Sequence, residues 1–199
     1  VLPEDGIHAS FKSIRPSYPT SFANTGFSYN TWLSNEVDPY RISKNGIGPA
    51  QLDLTLAQFK LKLTQPVQTE TLLLGNGLKA VAIIQDAITQ YYLVFPQNMP
   101  ITPFSKIVMV LTNNPKYMTA NGIHSGMPVF DANSILGIPT FSYNRSYPLE
   151  EKLRFSRQPR WLSFTSYSKV KAGKYRGNDR VNYTKNYEPG SKIQFIVVR

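Results

Sequence analysis

Hydrophobic and polar residues alternate along this chain in short runs, and no window holds apolar residues at helical spacing for about ten residues or more. The first strong strand is predicted over Gln51–Gln65. Leu52, Leu54 and Leu56 share one parity and Phe59, Leu61 and Leu63 the other, so the phase flips at Ala57-Gln58 as a β-bulge would make it. Lys60 and Lys62 then lie opposite the apolar set, and Pro66 ends the strand. Thr71–Asp86 carries a hairpin or loop turn at Asn76-Gly77, followed by the apolar run AVAIIQD. Ile88–Phe95 and Phe104–Leu111 read as two more strands around the proline-bounded loop PQNMPITP. Trp161–Val170, Lys174–Tyr183 and Ile193–Val198 complete the set. The last, IQFIVV, is apolar on both parities and therefore expected to be buried on both faces.

Between these strands, Asn113–Pro148 shows no period and many breakers, and reads as a long surface connection. Val1–Gly48 is rich in proline, serine, asparagine and aromatics; it reads as an extended segment docked by its rings, with room for one turn of helix at Asn30–Asn35. The sum is about eight strands with uneven loops. The expected class is all-β: a single eight-stranded jelly-roll β-sandwich with long irregular loops and little helix. Residues 1–50 form an arm and loop segment, and residues 51–199 the folded domain, one structural domain overall.

Composition sharpens this picture. A chain of 199 residues with 13% aromatics and 17% charged residues suits one globular domain rather than a disordered one. The absence of cysteine removes disulfides, thiolate zinc sites and thiol catalysis. No apolar run reaches the roughly 18 residues of a membrane span, and VLPEDG is neither a signal peptide nor an initiator, which leaves an N-terminal arm upstream of Val1 open.

Charge changes the picture most. Val1–Glu150 holds 10 Lys/Arg against 9 Asp/Glu, a net of +1, whereas Glu151–Arg199 holds 12 against 3, a net of +9. Within that tail, Arg154–Arg176 has cations at 154, 157, 160, 169, 171, 174 and 176, and no carboxylate falls between Glu151 and Asp179. A basic segment of this kind is either a solvated face or a surface for phosphate backbones, and the concentration favours an anionic partner.

Catalytic chemistry finds little support. Gly75-Asn76-Gly77-Leu78-Lys79-Ala80 fits a dinucleotide-binding spacing, but the residues after it are β-branched and leave no room for a crossover helix. His8 lies in the arm. His124 lies in Gly122-Ile123-His124-Ser125-Gly126, where the serine is fourth rather than third, unlike a hydrolase elbow. Asp53, Glu70, Asp86 and Asp131 are scattered, with no spacing for a metal or an acid–base pair. The expectation is a non-enzyme with no cofactor and no metal. Asn144-Arg145-Ser146 and Asn182-Tyr183-Thr184 are glycosylation sequons by chance.

Four segments in order carry a family resemblance: Phe59-Lys60-Leu61-Lys62-Leu63; Ala80–Asp86 after a Gly-x-Gly turn; Phe141-Ser142-Tyr143-Asn144-Arg145-Ser146-Tyr147; and Trp161-Leu162-Ser163-Phe164 with the terminal Ile193–Val198 strand. Together they resemble the capsid protein of circoviruses and related small viruses with circular single-stranded DNA genomes. The chain departs from that family in lacking an arginine-rich N-terminal arm. The resemblance implies a jelly-roll coat protein, a homo-oligomeric icosahedral shell of roughly sixty copies, a packaged single-stranded genome with DNA favoured, and location in the virion and, during assembly, the host nucleus.

On this reading Arg157, Arg160, Lys169, Lys171, Lys174, Arg176 and Arg180 are the candidate nucleic-acid contacts, with Lys60 and Lys62 behind them. Alternation puts Lys169 and Lys171 on one strand face, so only part of the basic set meets the genome. The rest faces a neighbouring subunit or an anionic glycan receptor. Tyr167, Tyr175 and Tyr183 either pack at an edge or stack on bases. No membrane partner is expected. The rival is a monomeric or oligomeric β-sandwich module that binds nucleic acid or acidic glycans.

Overall fold

The computed structural model describes residues 38–97, 99–177 and 179–199. The arm expected at the N-terminus, with His8 and the helical turn at residues 30–35, lies outside the described residues as far as residue 37. The described residues belong to one compact unit.

In chain order the elements are β1 (Arg41–Ser43), β2 (Gly46–Ile47), β3 (Ala50–Gln51), α1 (Leu56–Leu61), β4 (Gln68–Leu73), β5 (Lys79–Gln85), β6 (Ile88–Val94) and β7 (Met109–Thr112). There follow β8 (Met118–Thr119), α2 (Val129–Leu136), β9 (Pro139–Asn144), β10 (Glu150–Phe155), β11 (Leu162–Tyr167), β12 (Val181–Thr184) and β13 (Phe195–Val198). The described residues are mostly β, in two sheets. The larger runs β12-β9-β10-β11-β13-β7-β6-β5-β4, and the smaller β3-β2-β1-β8. Every pairing in the large sheet is antiparallel.

Both faces of the large sheet carry apolar cores. Val81, Ile83, Tyr91, Leu93, Val110, Ile196, Phe164, Leu153 and Phe141 share one face, which the small sheet covers with Ile42 and Ile47, α1 with Phe59, and α2 with Val129, Ala132 and Leu136. Ala80, Ala82, Tyr92, Val94, Leu111, Phe195 and Val197 line the other, where Leu74 joins them. Leu74 belongs to the tip of the β4–β5 hairpin. Gly75 in that tip comes so close to β11 that a Cβ there would stand 2.7 Å from the Tyr167 ring. Asn76 Nδ2 donates to Glu150 Oε1 at 3.1 Å. The hairpin tip is thus the lid on the second face, and β13 is buried along its whole length as its apolar parities require.

Several expectations are corrected. Gln51–Gln65 is not a bulged strand: its middle is α1. Thr55 caps it by accepting from Gln58 N at 3.1 Å while Gln58 Oε1 accepts from Thr55 N at 2.9 Å. The change of parity is helical spacing, Leu56 to Phe59, and Phe59 is the buried residue. Lys60 therefore sits in the last helical turn, and Lys62 at the C-cap donates from Nζ to Gln51 Oε1 at 2.9 Å. Residues 113–148 are not one loop, because they contain β8, α2 and β9. The strand predicted to begin at Phe104 begins at Met109, that ending at Val170 ends at Tyr167, and that beginning at Lys174 begins at Val181. β10 was not anticipated, and the described residues hold thirteen strands rather than eight. Residues 38–50, assigned to the arm, supply Ile42, Ile47 and Ala50 to the core. Strand neighbours are largely sequence neighbours, β4 to β7 and β9 to β11, with β13 between the two meanders. A jelly roll instead deals successive strands to two facing sheets.

The β5–β6 hairpin turns through Asp86 and Ala87, both at positive φ (52° and 60°), between the paired Gln85 and Ile88. A two-residue turn of this kind favours glycine, and an alanine there carries left-handed strain. Ala87→Gly is expected to stabilise the protein by about 0.5–1 kcal/mol, the relief exceeding the added chain entropy. A urea midpoint that falls would refute the strain assignment.

An aromatic column ties the layers together. Phe59 of α1 meets Tyr91 of β6 edge-on at 5.9 Å, Tyr91 meets Tyr117 at 5.7 Å, and Tyr117 meets Tyr40 at 5.6 Å. The Tyr117 hydroxyl donates to Gln90 Oε1 at 3.3 Å. Burial, aided by Tyr40, pushes the Tyr117 phenol up to about 12, and burial raises Tyr91 as well. The folded state thus holds these protons more tightly than the unfolded chain, whose tyrosines ionise near 10. Their contribution is complete below pH 10 and drains away as pH rises from about 10 through 12, by about 1.4 kcal/mol per pH unit for each such group. Urea midpoints should fall across that window, and Tyr117→Phe should make the fall shallower. An unchanged slope in Tyr117→Phe would remove Tyr117 from the explanation.

Candidate anion-binding site

Strand register builds the site. Across β12, β9, β10 and β11 one row on the core face reads Thr184, Phe141, Leu153 and Phe164. The next row toward the sheet's end reads Asn182, Tyr143, Glu151 and Ser166. The apolar core therefore gives way to a polar row with a carboxylate at its centre. Glu151 is only 2% exposed. A carboxylate so buried needs donors, and the segment after β11 folds back to supply them. Ala172 N and Gly173 N donate to the two carboxylate oxygens at 2.9 Å each, and Tyr175 Oη donates at 2.8 Å. Ser166 Oγ adds a longer contact of 3.4 Å from within the sheet.

The returning strap is fixed from its other side too. Lys174 N donates to Asn186 O and Glu188 N to Ala172 O, each at 2.8 Å. Gly173 is needed at the crossing: a Cβ there would lie 2.8 Å from both Thr184 Cγ2 and the Tyr175 ring.

Two open basic clefts flank this strap. The first, about 450 Å³, is lined by Tyr143, Arg145, Lys169, Lys171, Tyr175 and Asn182, among others. The second, about 520 Å³, is lined by Lys174, Tyr175, Arg176, Lys185, Asn186 and Tyr187. Tyr175 stands between them and belongs to both. Its ring rests on Tyr143 at 5.7 Å. Burial, and then its bond to Glu151, raises its phenol far above the ordinary tyrosine range, so it remains a neutral donor. Lys171 Nζ lies 5.2 Å above the Tyr143 ring and donates to Ser168 O at 2.6 Å. Partial burial lowers its pKa, against the pull of Glu151 and Glu150.

The sequence-predicted contacts divide. Lys169 and Lys171 meet in the first cleft although both lie beyond the end of β11, not on a shared strand face. Lys174 and Arg176 meet in the second, where Lys174 also pairs with Glu188 at 3.3 Å. Arg180 is exposed just before β12, and its carbonyl accepts from Arg145 N at 3.0 Å. Arg157 and Arg160 lie in the β10–β11 turn, at the opposite end of β11, where Arg157 donates to Ser134 O of α2 at 3.1 Å. Lys60 and Lys62 stay with α1, elsewhere on the fold. Lys152 and Arg154, on the alternate parity of β10, face away from Glu151. Arg154–Arg176 is therefore no continuous stripe.

Of the tyrosines, Tyr167 packs edge-on against Phe195 at 5.4 Å, Tyr175 is the divider, and Tyr183 is 70% exposed on edge strand β12. Glu151, Tyr143, Arg145 and Lys185 were missed by sequence reasoning. The alternation Glu151-Lys152-Leu153-Arg154-Phe155 was the available signal, since it sets Glu151 on the face of Leu153 and Phe155.

Acid–base and metal chemistry gains nothing. Among the described residues no cluster of three His, Cys, Asp or Glu side chains could hold a metal ion. Ser125 Oγ donates to Gln194 O at 2.5 Å, and His124 Nδ1 lies 2.8 Å from Ser125 O, so the two are not paired as nucleophile and base. Among the described residues no helix is long and apolar enough to cross a membrane. No protein-family model, curated protein or solved structure matches the chain.

Proposed function

We propose that this chain binds a single-stranded nucleic acid on the surface around Tyr175, and that it does so as the coat protein of a small virus. The observation that carries the binding half is the set of six cations, Arg145, Lys169, Lys171, Lys174, Arg176 and Lys185, in two clefts sharing one tyrosine. Interleaved cations and aromatic rings suit an unpaired strand, whose phosphates and bases are both within reach. The coat-protein half rests on the order of the family-like segments and on the mostly β fold. It carries with it self-assembly into an icosahedral particle of roughly sixty copies, single-stranded DNA as cargo, and residence in the virion.

One observation favours a second reading, a β-module that binds nucleic acid or acidic glycan without assembling. The large sheet is a pair of meanders joined by β13, and the end of α1 occupies residues 59–61 of the family-like segment at 59–63. Negative-stain microscopy of purified full-length protein, with the ultraviolet absorbance ratio of any particle fraction, decides between them. Uniform closed particles containing nucleic acid are expected. Monomers alone at neutral pH and moderate salt, still binding an oligonucleotide, would leave only the second reading.

A further inference from the structure

The two clefts share one lining residue, Tyr175, and it is an aromatic ring. Arg145, Lys169 and Lys171 line the first cleft with Tyr175, and Lys174, Arg176 and Lys185 line the second with it. The ring is held from beneath by its hydroxyl's bond to Glu151 and from the side by Tyr143, so it cannot swing to merge the clefts without breaking both contacts. The strap carrying it is pinned through Ala172, Gly173 and Lys174. Tyr175 is thus the fixed ring that a ligand with an anionic group in each cleft meets between them.

We infer that the Tyr175 ridge is a single-nucleotide saddle. The base of one nucleotide rests on the Tyr175 ring, its 5′ and 3′ phosphates each occupy one of the flanking clefts, and the strand continues beyond both. This inference rests on the nucleic-acid reading above and adds to it a place, a stoichiometry and a direction of travel across the sheet's end. The chemistry fits one nucleotide well. Cations placed to either side of a ring match a chain in which an aromatic base alternates with phosphate. A phosphate in the first cleft also places an anion beside Lys171, favouring the charged form that burial disfavours. The other predicted contacts lack this arrangement: Arg157 and Arg160 lie at the opposite end of β11, and the groove beside Lys60 holds no second cation and no aromatic ring.

Glu151 acts here as a positioning residue. It touches no ligand, but its four contacts place Tyr175 and the strap that carries Lys171 and Lys174.

The test is calorimetric titration of the full-length protein with thymidine 3′,5′-bisphosphate, thymidine 5′-monophosphate and inorganic pyrophosphate, beside a labelled oligo-dT measured at several salt concentrations. The bisphosphate is expected to bind one per chain and about tenfold tighter than the monophosphate. Lys169→Gln with Lys171→Gln, and separately Lys174→Gln with Arg176→Gln, should each reduce the bisphosphate to monophosphate strength. Each pair should also flatten the oligo-dT salt slope by about 0.7, the share of the one phosphate its cleft holds on a single strand. Tyr175→Phe keeps the ring but releases Glu151. It should weaken the bisphosphate more than pyrophosphate, which a loss of charge alone would not do.

Equal affinity for bisphosphate and monophosphate, or two independent sites per chain, would overturn the saddle. So would pyrophosphate binding as tightly as the bisphosphate, because the base would then contribute nothing. Tighter binding of a sulfated disaccharide, titrated beside them, than of the bisphosphate would assign the surface to acidic glycans instead. Oligo-dT bound equally by wild type and by both double variants would sink the saddle while sparing the nucleic-acid reading. A wild-type protein that binds no oligo-dT would sink that reading itself.

Discussion

Glu151→Ala is expected to destabilise the protein by about 3 kcal/mol, and to release the strap over residues 168–177 before the rest unfolds. The substitution deletes an acceptor that serves Ala172 N, Gly173 N and Tyr175 Oη at once. Each donor left buried without a partner costs about 1–3 kcal/mol, reduced where water can reach it. Gly173 is buried and Tyr175 half-buried, so the total stays well above the effect of a surface change. Glu151→Gln keeps one acceptor oxygen but turns an amide N–H₂ toward a backbone N–H, and should retain roughly half of the loss. Urea unfolding gives the magnitude, and amide exchange at Ala172 and Gly173 gives the locality. A loss under about 0.5 kcal/mol with both amides still protected would mean that the lattice of strap contacts to Asn186 and Glu188 suffices without the carboxylate.

How much of this was legible depends on the kind of information each feature needs. β5, β6, β11 and β13 were legible because each is a run long enough for its own composition to decide, and burial on both faces of β13 could be read from its two apolar parities. Helix α1 was misread because alternating leucines at 52, 54 and 56 ran into a helical step from Leu56 to Phe59. The capping signature Thr55-Leu56-Ala57-Gln58 was the local clue that outweighed them. α2 was hidden by its flanking breakers, Pro128 and Gly137, which bound it rather than forbid it; its buried Val129, Ala132 and Leu136 keep helical spacing. β10 was overlooked since charged residues outnumber apolar ones within it. The order of strands in the large sheet depends on which edges meet, and no local pattern carries that.

The site divides in the same way. Cation density along one segment is a one-dimensional property, so Lys169, Lys171, Lys174 and Arg176 could be named. The cleft walls come from elsewhere: Tyr143 and Arg145 from β9 and its turn, Lys185 from beyond β12. Arg157 and Arg160 were grouped with the lysines by sequence distance, although β11 runs between them and, at about 3.3 Å per residue, carries them roughly 17–20 Å away. The carboxylate that shapes the surface was the least visible element. A lone acid next to a basic run reads as a charge to be subtracted, whereas its place on the inner parity of β10 makes it the anchor.

Phe164→Ala should cost about 3–5 kcal/mol, the range for deleting a fully buried aromatic side chain. Phe164 is 2% exposed, meets Phe155 edge-on at 5.4 Å, and lies between Leu153 and Ile196 on the neighbouring strands. The informative comparison is Phe195→Ala, one strand away on the opposite face, where Tyr92 and Tyr167 pack at 5.8 and 5.4 Å. An antiparallel sheet with one wet face would make Phe195→Ala cheap, near 1 kcal/mol. The lid formed by Leu74 and the hairpin tip against Tyr167 and Glu150 makes it expensive instead, about 3 kcal/mol. Opening the lid is then the independent control. Gly75→Val places a side chain where Tyr167 and Leu149 already stand, so it should expose the second face and make a subsequent Phe195→Ala cheaper than it is in the intact protein. Additivity of the two substitutions would mean that the hairpin tip and Phe195 do not share a core. Coupling between them, with Phe164→Ala left additive to both, would place the closure of the second face at Gly75 and Tyr167, directly behind the strands that carry the Glu151 row.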